Sequence, residues 1–164
     1  MAFPICEACA DSGLLCDKCQ KKVRTGQVSE LDVLLSSILA QHKATGYGNI
    51  VDLETKLVIL ASEKDAKDLI GPGGSTAEDV SKKLGRRVII LVRDWDKQRI
   101  AESLARPARL VNKNTIFRPG GQEVLKLIFD KQIDEGSLKL IKELAGGIEI
   151  GYQETGFVKI KNRQ

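Results

Sequence analysis

Residues Asp65–Val92 read DAKDLIGPGGSTAEDVSKKLGRRVIILV, and this stretch contains two predicted helices separated by a run of glycines. Ser62 is expected to cap the first helix, because Asp65 follows three residues later as in a capping box. The Gly-Pro-Gly-Gly run at Gly71–Gly74 interrupts that helix, since proline and glycine are unfavourable in a helix interior. A second helix is expected to begin at Ser75–Glu78, where Ser-Thr-Ala-Glu is again a capping-box pattern.

A strand is expected directly after the second helix. Gly85 is a typical helix C-cap, and Val88–Val92 is an uninterrupted apolar run rich in β-branched residues. Upstream of the stretch, Asn49–Leu53 and Lys56–Ser62 have the pattern of two strands joined by a short turn. The predicted order over Ser29–Val92 is therefore helix, strand, strand, helix, glycine loop, helix and strand.

This order of elements, with Gly-x-x-Gly between two helices, resembles the prokaryotic, type II arrangement of the K-homology (KH) domain. Within it, the segments Leu69–Gly74, Lys82–Val88 and Arg93–Asp96 are similar to those of the archaeal NusA-like KH proteins. The resemblance implies a protein that binds single-stranded RNA. It also implies a role in transcription elongation or termination, or on ribosomal RNA, with the ribosome or RNA polymerase as partners.

The glycine loop is the expected RNA contact. Small residues let a sugar-phosphate backbone approach closely, and the amides at the N-terminus of the next helix attract a phosphate. KH loops clamp about four nucleotides in this way. Replacing Gly71 or Gly74 with Asp is then expected to abolish RNA binding and to leave the fold intact. The RNA-binding residues implied by the resemblance are Lys67, Ile70, Gly71, Pro72, Gly73, Gly74, Ser75, Lys82, Lys83, Arg86 and Arg87.

The loop differs from most RNA-binding KH loops in one respect. Pro72 and Gly73 occupy the two positions at which such loops usually carry Lys or Arg. The sequence therefore leaves a second function open: a protein–protein adaptor on the ribosome or RNA polymerase, with a KH fold that does not itself bind RNA. A nucleotide-phosphate loop is disfavoured, because the run lacks the Gly-Lys-Ser/Thr of a Walker loop.

All four cysteines lie near the N-terminus in two Cys-x-x-Cys pairs, Cys6 with Cys9 and Cys16 with Cys19. Two pairs at this spacing are typical of a structural Zn²⁺ site, in which four thiolates leave no position open for a substrate. The segment has almost no apolar core of its own, so the metal is expected to supply its folding free energy. An iron–sulfur cluster also uses four thiolates and is the alternative.

Composition narrows the possible functions. The chain has 164 residues, of which 42% are hydrophobic and 29% charged, and its net charge of +4 permits an anionic partner without requiring one. No apolar run is long enough to span a bilayer and the N-terminus lacks a signal-peptide pattern, so a cytoplasmic location is expected. The sequence contains no Ser-His-Asp or open metal arrangement, and we therefore expect a non-catalytic protein.

The C-terminal part has the pattern of a second, smaller α/β region. Two strands, a helix and a strand resemble a degenerate second KH core that lacks the glycine loop. The predicted elements are a helix at Lys97–Ala105, strands at Leu110-Val111, Thr115–Phe117 and Glu123–Phe129, a helix at Glu135–Leu144, and a hairpin of Gly147–Tyr152 with Phe157–Lys161.

Two features of this region are candidates for nucleic-acid contact. Trp95 can stack on a base, although a tryptophan between a strand and a helix more often packs as an anchor. A possible basic strip, which can equally be a scattered set of solvated charges, consists of Arg99, Arg106, Arg109, Lys113 and Arg118.

The sequence therefore predicts an α+β protein of three parts. A small zinc-binding module occupies residues 1–28 and a type II KH domain occupies residues 29–106. A β-rich, KH-like region occupies residues 107–164.

Overall fold

The computed structural model of the chain describes residues 2–153. These residues form seven α-helices and two three-stranded sheets, which confirms the predicted α+β class. The chain divides into two compact units on either side of the Asp94–Trp95 peptide bond. The finer division at residues 28 and 106 remains a prediction.

The first unit has the predicted order of helices and strands. Two short helices that carry the cysteines precede it. The elements are α1 (Glu7–Ser12), α2 (Asp17–Arg24), α3 (Glu30–Gln41), β1 (Ile50–Asp52), β2 (Lys56–Ala61), α4 (Glu63–Ile70), α5 (Ser75–Leu84) and β3 (Arg87–Val92), with a single 3₁₀ turn at Pro72–Gly74 between α4 and α5.

The sheet of the first unit explains where the glycine loop lies. β2 is the central strand, antiparallel to β1 and parallel to β3, and all six of its residues are buried. Parallel neighbours require a crossover connection, because the chain must return to the same end of the sheet. α4 and α5 form this crossover, so the glycine loop lies between two helices that are fixed to the sheet.

The two helices that flank the glycine loop, α4 before it and α5 after it, begin in different ways. Ser62 caps α4 as predicted, since its Oγ accepts a hydrogen bond from the Asp65 N–H at 3.1 Å. The prediction that Ser75 caps α5 is wrong, because the N-cap is Gly74, in the left-handed conformation, and no side chain caps this helix. Ser75 already has helical backbone angles, and the buried side chain is that of Thr76 (2% exposed).

The second unit repeats part of this plan. Its strands β4 and β5 are antiparallel, β5 and β6 are parallel, and a single helix, α7, makes the crossover. This matches the predicted order of two strands, a helix and a strand. The elements are α6 (Lys97–Ala105), β4 (Leu110–Arg118), β5 (Gln122–Phe129), α7 (Glu135–Leu144) and β6 (Ile148–Tyr152).

One predicted feature of the second unit is wrong and another is untested. Leu110-Val111 and Thr115–Phe117 are not separate strands but parts of the nine-residue strand β4. The polar residues between them also pair with β5. The pairing of β4 with β5 is irregular only between Leu110 and Asn112, where the register shifts. The second strand of the predicted hairpin, Phe157–Lys161, lies outside the described residues.

Candidate metal centre and nucleic-acid interface

The four cysteines form one cluster. Cys6 is the N-cap of α1 and Cys16 is the N-cap of α2, so Cys9 and Cys19 each follow within the first helical turn. All four Sγ atoms lie within 4.8 Å of one another, and none forms a disulfide. A tetrahedral ion with metal–sulfur distances near 2.3 Å needs sulfur atoms about 3.8 Å apart. The four residues therefore fit a single metal ion.

Backbone amides support the cluster in a reciprocal pattern. The N–H of Cys16 donates to Cys9 Sγ (3.1 Å), and the N–H of Cys6 donates to Cys19 Sγ (3.4 Å). Hydrogen bonds of this kind stabilise thiolates. A backbone hydrogen bond from Cys19, with further contacts from neighbouring thiols, lowers the pKa of Cys16 to about 7. The backbone hydrogen bond from Cys16 lowers the pKa of Cys9, but hydrogen bonds with neighbouring thiols and burial outweigh it and raise this pKa to about 12. Of these two thiols, Cys16 is therefore the one that releases its proton more readily to an incoming cation.

The cysteine helices share an apolar core with α3. The buried side chains of Ile5, Cys9 and Cys19 pack with Val33 and Ala40, which lie on α3. The buried members of this core all lie within residues 5–28, so the expectation that the N-terminal segment has almost no apolar core of its own is not confirmed. A metal ion in the cluster would therefore stabilise the packing of α3 as well as the two short helices.

The glycine loop has a backbone that only glycine adopts easily. Gly71 has φ 72° and ψ 173°, a region almost exclusive to glycine, while Gly73 and Gly74 are left-handed. A Cβ on Gly73 or Gly74 would have no atom within 4 Å, and Pro72 and Gly73 are exposed. These two glycines therefore lie on an open surface.

Gly71 has a different role. A Cβ on this residue would lie 2.2 Å from Thr76 Oγ1 and 2.9 Å from the Thr76 backbone nitrogen. The expectation that Gly71 can be replaced with Asp while the fold stays intact is therefore wrong. The reason is the buried Thr76, which closes against Gly71 and fixes the start of α5.

The predicted basic residues lie apart from the loop, with one exception. Lys67 is exposed on α4, four residues before Gly71. The other four predicted basic residues lie near the opposite end of α5. This helix has ten residues, and an α-helix rises about 1.5 Å per residue, so its whole length separates them from the loop. The structure thus brings together Lys67 and the 70–75 loop at one end of α5, and collects Lys82, Lys83, Arg86 and Arg87 at the other end.

Three of those four distant cations already have carboxylate partners. Lys82 lies 3.0 Å from Glu78, and Lys83 lies 3.0 Å from Asp79. The Arg86 guanidinium makes two hydrogen bonds with the Asp52 carboxylate, one of them at 3.2 Å, and this contact raises the pKa of Arg86. Any contact that they make with RNA would therefore compete with an existing ion pair.

Sequence reasoning missed one contact between α3 and α5. His42, the C-cap of α3, places Nε2 2.7 Å from Asp79 Oδ2, and Lys83 Nζ is 3.0 Å from the same oxygen. Only the tertiary packing brings residues 42 and 79 together, so no local pattern could have predicted the pair. The contact ties α3, which packs on the cysteine cluster, to the helix that begins at the glycine loop.

We expect Asp79→Asn to destabilise the protein at neutral pH but not in acid. Hydrogen bonds from His42 and then Lys83 hold the pKa of Asp79 below its ordinary value. A carboxylate with a lowered pKa stabilises the folded state above its unfolded pKa, about 3.9, and this contribution is lost as the pH falls through the folded value. Urea unfolding at several pH values measures the difference between the two proteins.

The matched control is Asp68→Asn, which removes an exposed carboxylate of α4. We expect this variant to follow the wild type at every pH. A destabilisation by Asp79→Asn that persists well below pH 3.9 would show that the contact acts through shape and not through charge.

Comparison with known proteins identifies no family. No family model matches the chain, and no curated protein matches it. The solved structure "Crystal structure of APE1850" is 20% identical to this chain, covers 73% of it and 94% of its own chain, and has a TM-score of 0.39. A structural similarity of this size carries no argument about fold or function. None of the helices within residues 2–153 combines the length and apolar character that a membrane crossing requires.

Proposed function

We propose that the chain is a non-catalytic protein that binds single-stranded RNA at the glycine loop. The observation that most supports this proposal is the open surface at Pro72–Gly74. A Cβ on Gly73 or Gly74 would meet no protein atom within 4 Å, so a sugar-phosphate chain can lie against the bare backbone. A loop whose only task was to reverse the chain would not need three glycines with positive φ.

The start of α5 adds an attraction for phosphate. In an α-helix the first N–H groups have no partner within the helix, and their dipoles favour a negative charge. No side chain caps α5 within the described residues, so no side-chain oxygen competes for these groups. A phosphate at the loop would accept hydrogen bonds from the N–H groups that no side chain caps at the start of α5.

The strand connections also agree with the type II KH resemblance. The first unit has an antiparallel pair followed by a parallel strand, joined by two helices with the Gly-x-x-Gly loop between them. On this basis the first unit is assigned a type II KH fold, and the second a degenerate copy with one helix fewer. From the sequence resemblance we further assign nascent transcripts or ribosomal RNA as the RNA, and the cytoplasm as the location.

For the cysteine cluster we propose one structural Zn²⁺. Four sulfur atoms within 4.8 Å of one another suit a single tetrahedral ion. An iron–sulfur cluster distributes its thiolates over separate irons and needs a wider arrangement. Four protein ligands fill the coordination sphere of Zn²⁺, so its role is to hold the two cysteine helices together and not to activate water.

The RNA proposal is tested by replacing both exposed loop residues, Pro72→Asp and Gly73→Asp, in the full chain. Two carboxylates at the loop should repel phosphate; Pro72 is exposed, and a Cβ on Gly73 would meet no atom within 4 Å. We expect the affinity for a labelled oligouridylate to fall by about a hundredfold or more, with unchanged circular dichroism. Fluorescence anisotropy measures the affinity.

The matched control is Gly26→Asp with Gln27→Asp, which adds the same two charges at another exposed glycine of positive φ. It should bind RNA nearly as well as the wild type. Equal affinity of the loop variant and this control, both folded, would overturn the assignment of RNA to the loop.

A second function is favoured by one observation. The loop itself carries no cation, and three of the four basic residues beyond it are already paired with carboxylates. This suits the protein–protein adaptor, in which the same surface contacts the ribosome or RNA polymerase directly. A partner that is retained after nuclease treatment, together with no RNA affinity in the isolated chain, would select the adaptor.

A further inference from the structure

The positive charge of the chain is concentrated in one segment of the second unit. Residues 95–118 contain six Lys and Arg against two Asp and Glu, an excess equal to the net charge of +4 of the whole chain. The rest of the chain therefore contains equal numbers of positively and negatively charged residues. The six cations are Lys97, Arg99, Arg106, Arg109, Lys113 and Arg118.

This segment contains α6 and β4, which are linked by a side-chain hydrogen bond. Lys113 Nζ, in the middle of β4, donates to Gln98 Oε1 near the start of α6 at 3.0 Å. β4 is an edge strand of the order β4-β5-β6, and seven of its nine residues are exposed. An exposed, cationic edge strand is thus joined to the first turn of a helix.

A second contact positions the start of α6 against the sheet. Lys97 Nζ donates to the Gly146 carbonyl at 2.6 Å, just before β6 begins. The first residue of β6 is paired with Leu125, and Leu125 is paired with Thr115. The first turn of α6, which Trp95 precedes by two residues, is therefore linked both to the middle of β4 and to the residues just before β6.

We define the α6–β4 surface as Trp95, Arg99, Lys113, Thr115 and Phe117. The last three alternate along β4 and so share one side of the strand. Phe117 is 70% exposed, and the Arg99 guanidinium carbon lies 3.7 Å from the centroid of the half-buried Trp95 ring. The surface thus combines two cations with two aromatic groups.

We propose that the α6–β4 surface is a second contact site for single-stranded RNA. This inference rests on the proposed function and extends it to the second unit, which lacks a glycine loop. Arg99 and Lys113 bind phosphates, while Phe117 and the stacked Trp95–Arg99 pair offer flat faces to bases. Cationic grooves with exposed aromatic side chains are the usual means of holding a single strand without base-specific hydrogen bonds.

The chemistry of the surface favours RNA over an apolar partner. The apolar group of Phe117 stands at the end of a strand whose preceding residues include Asn112, Lys113, Asn114 and Thr115, all of them exposed. Acidic groups are close as well, since Gln98 binds Glu102 at 2.6 Å and Glu123 is paired with Phe117 across the strands. Over residues 95–118 as a whole, the six cations outnumber the two acidic residues, which suits a polyanion.

The experiment uses the only tryptophan of the chain as the reporter. The full chain is titrated with an oligouridylate of roughly 12 nucleotides, about three times the four-nucleotide KH site. We expect the fluorescence of Trp95 to be quenched at the concentrations at which labelled RNA binds. We also expect Lys113→Glu and Phe117→Ala each to weaken binding by about tenfold, a typical loss for one phosphate contact or one stacked base.

Two matched controls accompany these variants. Lys139→Glu makes the same change of charge on the exposed side of α7, and Leu14→Ala truncates an equally exposed apolar residue (77%) in the first unit. Both should bind RNA like the wild type. If the wild type binds RNA without quenching Trp95, and the surface variants bind like their controls, the α6–β4 site is wrong and the glycine loop is unaffected.

The loop variant Pro72→Asp/Gly73→Asp distinguishes failure of the inference from failure of the proposed function. Residual RNA binding by this variant that still quenches Trp95 would support a separate second site. A wild type that binds no RNA at all, at low salt, would overturn both proposals together.

Discussion

Replacement of Cys9 with serine is expected to remove the bound metal and to unfold the N-terminal segment. Structural Zn²⁺ contributes about 10–16 kcal/mol of apparent binding free energy in zinc-finger peptides, and under the proposed zinc site we expect that free energy to hold α1 and α2 against α3. Cys9 is 2% exposed, so the serine hydroxyl would also be buried in a core that contains Ile5 and Val33. Metal analysis of the dialysed protein and hydrogen exchange of residues 2–28 measure the two effects.

The matched control is Ala8→Ser, which introduces the same hydroxyl one residue earlier, at an exposed position of α1. It should keep about one ion per chain. Chelation of the wild type, followed by return of Zn²⁺, gives the same comparison without a mutation. As the pH falls, protons should displace the metal, because only thiolates bind it. A Cys9→Ser protein with full zinc and wild-type protection would contradict the four-cysteine site, and purified protein with iron and sulfide would contradict zinc.

The features that could be predicted from sequence are those fixed by local chemistry. The cysteine spacing predicted a cluster, because each Cys-x-x-Cys pair can present two sulfurs to one ion whatever the rest of the chain does. The helix start at Ser62 was predicted from Asp65 three residues later, and Ser62 Oγ does accept a hydrogen bond from the Asp65 N–H, since both residues lie within one helical turn. The apolar run at Val88–Val92 similarly predicted the buried end of β3.

The features that could not be predicted depend on tertiary packing. Burial along α3 does not follow the hydrophobicity of its side chains, since Leu34 is 48% exposed while Ser36 is fully buried. The buried serine is tolerated because its hydroxyl donates to the Asp32 carbonyl within the helix, at 2.6 Å. Ser75 likewise matched a capping pattern, but the glycines before it let the chain enter the helix one residue earlier.

Gly71→Ala is expected to lower the free energy of unfolding of the first unit by about 2–5 kcal/mol. A residue other than glycine is strained at φ 72° and ψ 173°, and the added Cβ would also overlap Thr76. Because α5 begins at this point, the strain should loosen the whole crossover between β2 and β3. Chemical unfolding followed by circular dichroism measures the loss, while the fluorescence of Trp95 reports the second unit separately.

Gly73→Ala is the matched control, because it adds the same methyl group two residues later, where nothing lies within 4 Å. Its left-handed backbone should cost only about 1 kcal/mol. Adding Thr76→Ala to Gly71→Ala should restore part of the stability, since it removes Oγ1 but leaves the backbone nitrogen 2.9 Å from the new Cβ. Equal losses for Gly71→Ala and Gly73→Ala would mean that Thr76 does not close against the loop. A larger loss for Gly71→Ala than for Gly73→Ala, by the expected amount, would mean that Gly71 is required for folding. RNA binding must then be tested at Pro72 and Gly73.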